Sequence, residues 1–301
     1  MFFRNLTLFR FPSAFDFSAL DEGLDACRLK PVGPQELFSR GFVSPFGRDE
    51  EALSHGSGDG LWLTLGGEDK ILPAAVVNDV VAAKAAEIEQ REGRRLGGRA
   101  RKRLRDETLT DLLPRAFSKP SRTGLHVDTG AAFLAVDTSS RKTAETAVSE
   151  LRRALGSFPA VPLNAEVSPR TVLTGWLAGE ALPDGLSLGD ECELRDPVDR
   201  GAVVKCQRQE LSADEIGKHL EAGKLCARLA LNLDDHLSFV LGEDLVVRKL
   251  KFLDGAVDGI EDSERDSLRA ELDTRYTLMA AELKRLFAVL ETSFRLSRAD
   301  A

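Results

Sequence analysis

Between Pro73 and Pro114 lies a helix-patterned stretch too polar and too glycine-broken to be buried, set between two segments that read as strands. Residues 74–92 are rich in Ala and Val, with Val77, Val81 and Ile88 near helical spacing. Pro73 precedes them, at the first turn, where a helix accepts it. Gly93 and the pair Gly97-Gly98 break the pattern, and helicity resumes over residues 102–113. Each glycine weakens a helix by ~1 kcal/mol relative to Ala, so the pattern predicts a helical arm with a flexible basic section, projecting from an α/β body. In residues 91–105 the arm carries eight Lys or Arg (Arg91, Arg94, Arg95, Arg99, Arg101, Lys102, Arg103, Arg105) and one acid, Glu92. That window is +7 in a chain of net charge −8, which leaves the rest at −15. An acidic body with one basic arm can hold a polyanion at the arm and repel it elsewhere; a solvated basic loop is the plain alternative.

The flanking segments predict an α+β fold. Residues 2–11 read as a strand, interrupted by Arg4 and Arg10 and without a following small-residue cleavage site, so not as a signal peptide. Ser18 with Asp21 forms a capping box before a short helix that ends by Lys30-Pro31. Gly56-Ser57-Gly58-Asp59-Gly60 lacks the Lys-Ser/Thr of a phosphate loop and precedes the strand-like Leu61-Trp62-Leu63-Thr64-Leu65, so it reads as a hairpin turn. Residues 125–128 and 133–137 flank the turn Thr129-Gly130, and a helix follows over 141–155, with Ala144, Val148, Leu151 and Leu155 on one face and Gly156 as its stop. The proline-marked stretch 157–169 reads as an extended boundary or crossover. Beyond it, strands are expected at 203–206, 226–231, 237–241 and 245–252, with a helix opened by a capping box at Ser212 and Glu215. The last helix, about 263–295, places Leu268, Leu272, Tyr276, Met279, Leu283, Leu286, Leu290 and Phe294 on one stripe. These divide the chain into an N-terminal α/β segment (1–73), the basic arm (74–120), a second α/β segment completing the first (121–165), and a C-terminal α+β domain (166–301).

Chemistry is sparse. No apolar run approaches the ~20 residues that cross a bilayer. Cys27, Cys192, Cys206 and Cys226 form no CxxC pair and read as reduced thiols of a cytoplasmic protein. No P-loop, dinucleotide fingerprint, HExxH or GxSxG occurs. Asp254, Asp258, Glu261, Asp262 and Glu264 are close in sequence and raise a metal-dependent nuclease as an alternative, but acids are favoured at a helix start by the macrodipole alone. His126 and Asp128 share a strand face without a nucleophile beside them, so His126 reads as structural. No metal, cofactor or catalytic residue is expected.

Lys70-Ile71-Leu72-Pro73, Leu112-Leu113-Pro114-Arg115-Ala116-Phe117-Ser118 and Leu155-Gly156-Ser157-Phe158-Pro159-Ala160-Val161-Pro162-Leu163 carry a resemblance. Glu215-Ile216, His219, Glu221-Ala222-Gly223-Lys224 and Leu250-Lys251-Phe252 extend it. In order and spacing this set resembles the RdgC family over nearly the whole chain, although the arm is richer in Arg and Gly than the Lys/Glu-rich helix of that family. The resemblance implies an α+β fold of mixed sheets with flanking helices, assembled head-to-head and tail-to-tail as a ring-shaped homodimer. The hole of the ring would take double-stranded DNA without sequence preference and limit access by the RecA recombinase, in a nucleoid-associated, non-enzymatic role.

Such a protein needs inward charge and phosphate contacts rather than base readers. The candidates are Lys70, Arg94, Arg95, Arg99, Arg101, Lys102, Arg103, Arg115, Lys119, Arg122, Lys205, Lys224 and Arg228. Arg208 and Gln209 join them at a family position where basic and amide side chains face the hole. Phe117 is expected either to pack into the local core or to insert into the partner subunit and close the ring. A protein-interaction adaptor docking through the last helix is a further alternative.

Overall fold

The computed structural model describes residues 2–48, 50–199, 201–257 and 268–299. Its first sheet is organised around one long hairpin. β1 (Thr7–Arg10), α1 (Leu20–Ala26), β2 (Phe38–Val43) and β3 (Ser54–Ser57) lead into β4 (Gly60–Ile71). After α2 (Ala74–Glu92), α3 (Gly98–Leu112) and a 3-10 turn at Leu113–Arg115, β5 (Phe117–Asp128) returns along β4. The two strands pair without a break from Gly60↔Asp128 to Ile71↔Phe117. β6 (Phe133–Val136), α4 (Arg141–Ala154) and β7 (Val161–Pro162) complete this part. The strand order is β2-β4-β5-β6-β1-β7, with β3 also on β4, so the strands after the arm fill the centre of a sheet begun before it.

α5 (Pro169–Leu177), β8 (Leu186–Arg195), β9 (Val203–Gln207), α6 (Asp214–Glu221), β10 (Leu225–Leu233), β11 (Leu237–Gly242) and β12 (Val247–Phe252) follow. α7 (Asp254–Val257) and α8 (Leu268–Phe294) end the chain's regular structure. The second sheet runs β12-β11-β10-β8-β9. Every strand pair is antiparallel among the described residues, where the sequence led to mixed sheets; the parallel contact present is an isolated bridge, Arg28↔Phe42. Parallel pairing needs long crossovers, and neighbouring strands here are joined largely by turns and by the arm. β2, β8 and α5 have no counterpart in the sequence reading.

Two apolar clusters hold the sheets. Leu20 and Leu24 of α1 with Ala144, Ala147, Val148 and Leu151 of α4 cover Leu63, Leu65, Leu125 and Val127 on one face of the first sheet. A side chain at Gly23 would put its Cβ 2.0 Å from the Ala154 carbonyl oxygen, so glycine sets how closely α1 approaches α4. The other face shares one core with the second sheet, and α8 belongs to it. Tyr276 stacks on Trp62 with ring centroids 5.2 Å apart, and Phe287 on Phe133 at 4.2 Å. Such pairs add about 0.5–1.5 kcal/mol each beyond their burial. Tyr276, Met279, Leu283, Leu286, Leu290 and Phe294 are buried, as the helical stripe predicts; residues 263–267 lie outside the described residues. From Tyr276 to Phe294 the stripe is buried inside its own chain.

Local chemistry departs from the sequence reading at both capping boxes. Ser18 donates to Asp16 and α1 starts at Leu20; Ser212 donates to Glu210 and α6 starts at Asp214. In each case a nearer carboxylate captures the hydroxyl. Ser140 does cap, accepting the Thr143 N–H at 3.3 Å. The turn at Gly58-Asp59 closes β3 on β4, as expected. Cys27, Cys192, Cys206 and Cys226 are free thiols; burial, with Cys206 beside it, pushes Cys192 up to about 12.

Candidate nucleic-acid interface

β4 and β5 outrun the core. Residues 124–128 of β5 are buried, but its first six, 117–122, are exposed, so the outer half of the hairpin is a ribbon standing off the body, edged by β2. The ribbon carries α2 and α3, packed on each other through Val77 and Ala85 of one and Leu104 and Thr108 of the other. The glycines that predict a flexible section instead make the bend of this helical hairpin. Gly93 ends α2 in the left-handed region at φ 68°, donating to the Glu89 carbonyl, and α3 begins at Gly98 rather than near 102. The Glu89 carboxylate then crosses the bend, accepting the Leu96 N–H at 2.8 Å and Arg101 at 3.2 Å. Those two donors hold its carboxyl below the usual carboxylate range.

The arm's cations differ in what they are free to do. Arg94 pairs with Glu92 at 3.2 Å, Arg101 with Glu89, Arg103 with Glu107 at 3.6 Å, and Arg105 donates to Asn78 at 2.7 Å. Arg95, Arg99 and Lys102 are exposed and form no ion pair among the described residues. Lys70 donates to the Leu113 carbonyl at 3.1 Å and so fastens the arm's last turn to β4. Arg115 and Lys119 are exposed at the arm's base, and the Arg122 guanidinium is drawn back to the Ser44 carbonyl.

Phe117 is 84% exposed, which rules out packing into its own core. It lies opposite Ile71, and by register it shares a ribbon face with Phe38 and Lys119. Phe38 and Ile71 are exposed on that face, and Leu37 and Val76 are exposed close by in the chain, so uncovered apolar side chains gather at the base of the arm.

The C-terminal candidates form a separate group on the second sheet. Lys205, Glu193 and Arg228 lie in one cross-strand row over β9, β8 and β10. The buried Glu193 carboxylate takes Arg195 at 2.6 Å, Arg228 at 3.5 Å and Lys205 at 3.8 Å. Burial opposes ionisation of Glu193, but the bond from Arg195 and the charges of Arg228, Arg195 and Lys205 outweigh it and hold its carboxyl below the ordinary range. Sequence reasoning missed this hub because β8 was not recognised; the alternation Glu191-Cys192-Glu193-Leu194-Arg195 was its signal. Arg208 follows β9 at φ 55°, exposed, in a region that costs a side-chain-bearing residue of order 1 kcal/mol or more. The Gln209 N–H donates to the Asp190 carbonyl at 3.3 Å, and Lys224 sits half-buried just before β10. The arm group stands on the first sheet and this group lies on the second.

His126 is fully buried on β5, its Nδ1 3.0 Å from the Tyr276 hydroxyl, while Nε2 has no partner among the described residues. It is structural, and only half satisfied. Of the acids that raise a nuclease, Asp254 opens α7, and Asp258, Glu261, Asp262 and Glu264 lie outside the described residues. No cluster of three His, Cys, Asp or Glu with metal-binding geometry occurs among the described residues, and none of their helices is long and apolar enough to cross a membrane.

A family model described as "Putative exonuclease, RdgC" matches residues 1–297. The chain is 65% identical to "Recombination-associated protein RdgC" of Xanthomonas oryzae pv. oryzae (strain MAFF 311018) over 301 residues, all of both chains. The protein of that name from Xanthomonas axonopodis pv. citri (strain 306) is likewise 65% identical over 301 residues, and that of Stenotrophomonas maltophilia (strain R551-3) 62%, each over the full length of both chains. The chain therefore belongs to the RdgC family of recombination-associated proteins.

Proposed function

We propose that this protein binds double-stranded DNA without sequence preference, as a homodimer closed into a ring, and restrains recombination by limiting RecA access, without catalysing a reaction on the DNA. The observation that carries the reading is the set of exposed cations Arg95, Arg99 and Lys102, without an ion pair among the described residues, on a braced helical hairpin in a chain of net charge −8. Charge concentrated on a projecting arm suits phosphate contact without base readout. The apolar patch around Phe117 at the foot of that arm supports ring closure by a second copy, since an 84% exposed Phe among exposed Leu37, Phe38, Ile71 and Val76 is costly unless covered. Membership of a recombination-associated family supports the RecA link.

Salt titration of duplex binding tests the reading. Replacing Arg95, Arg99 and Lys102 with Gln is expected to cut the slope of log affinity against log salt by up to about 2.7, roughly 0.9 for each phosphate that is no longer neutralised. An unchanged slope, or a strict sequence requirement in the wild type, would overturn it. The family description names an exonuclease, so linear duplex incubated with Mg²⁺ or Mn²⁺ is the accompanying assay; the proposal requires that no nucleotides are released.

A further inference from the structure

Between β2, β4, β5 and the segment that follows β2 lies an open cavity of about 380 Å³, lined among others by Arg28, Arg48 and Arg122. Three arginines and two glutamates, Glu50 and Glu68, line it among the described residues. Arg48 is exposed and has no ion pair or hydrogen bond among the described residues, and Arg122 makes one hydrogen bond, to the Ser44 carbonyl. The two guanidinium groups repel each other: burial first, and the Arg48 charge second, lower the pKa of Arg122. Each glutamate has its own partner, an arginine outside the lining for one and a backbone N–H for the other. Glu50 takes Arg269 at 3.1 Å, and Glu68 accepts the Val32 N–H at 3.1 Å. Arg28 is held by Asp25 at 2.7 Å. Like charges facing a shared cavity are stabilised by an anion between them, and the planar guanidinium fork matches a tetrahedral oxyanion.

We propose that this cavity is a phosphate site, with the oxyanion clamped between Arg48 and Arg122 and Arg28 at its edge. The volume admits a phosphomonoester as well as the free ion. The site is distinct from the arm cations, so it does not depend on the DNA-binding reading. The phosphate has two possible sources, free phosphate in solution or a phosphate of a nucleic-acid strand.

The test titrates inorganic phosphate into the full-length protein at constant ionic strength, followed by calorimetry and by Tm. The expected result is saturable binding, with Tm raised by about 2 °C at ten times Kd. Both effects should be lost in Arg48→Gln, whose exposed side chain the fold does not need. Arg122→Gln should weaken phosphate binding at least tenfold where its circular dichroism matches the wild type; if it does not fold, Arg48→Gln decides alone. An equal Tm rise in wild type and Arg48→Gln is the general effect of an excluded salt and overturns the proposal, as does the absence of saturable heat. Duplex affinity then separates the sources. If Arg48→Gln weakens duplex binding and phosphate competes with DNA, the ligand is a strand phosphate; if duplex affinity is unchanged while phosphate binding is lost, it is the free ion.

Discussion

His126 shows how far a residue can be read before its neighbours are known. It shares a strand face with Asp128 but has no nucleophile beside it, so it reads as structural, and only the fold shows that Tyr276, 150 residues away, supplies its partner. Burial first, and the Lys284 charge second, lower it from 6.5 to about 3, so the folded state keeps the imidazole neutral. The unfolded chain takes up that proton below about 6.5. Stability is therefore lost as pH falls from about 6.5 towards 3, by up to ~1.4 kcal/mol per pH unit from this group. Urea unfolding of wild type and His126→Phe at pH 7.5, 5.5 and 4.5 checks this: the difference between them should shrink, or change sign, as pH drops. A constant difference would rule it out.

At the scale of elements, the arm is where pattern and structure part most usefully. Glycines at 93, 97 and 98 predict looseness from propensity alone, and propensity is right about where α2 stops but not about where α3 starts. It is silent about Glu89, whose carboxylate ties Leu96 and Arg101 together across the bend. Glu89→Ala should speed amide exchange over residues 94–101 while leaving the global Tm unchanged. Gly93→Ala should lower the arm's stability by about 1 kcal/mol, because alanine at φ 68° is strained. Equal exchange in wild type and both variants would show that the bend is held otherwise. α4 marks the other limit: its face, its Gly156 stop and its boundaries are all plain in the sequence, because an amphipathic stripe on a sheet is a local pattern with a single solution.

For the whole molecule, the proposed function raises the question of how one chain with basic groups on two sheets would act on a single duplex. Arg95, Arg99 and Lys102 of the arm form no ion pair among the described residues, whereas Lys205 and Arg228 share Glu193 and contribute less net charge to a phosphate. Bringing both groups onto one DNA is the task that the proposed ring performs. Phe117→Ser should then weaken self-association and speed DNA exchange without moving Tm, since the side chain is 84% exposed and supports little of its own fold. Sedimentation velocity and competitor-chase experiments measure the two effects; an unchanged dimer with unchanged DNA retention would sink the ring-closing role.

By itself the sequence determined the family, the helical arm and its charge, the amphipathic faces of α4 and α8, and the hairpin turns. Each is written in contiguous residues, where spacing alone distinguishes a helix from a strand. Only the tertiary structure decided that the two sheets are antiparallel and share one core through α8. The same holds for the exposure of Phe117 within its chain and for the gathering of Lys205, Arg195 and Arg228 around Glu193. The same folding set Arg48 against Arg122. These depend on pairing between distant strands, and the energy that selects such pairings belongs to contacts that no local window of sequence contains.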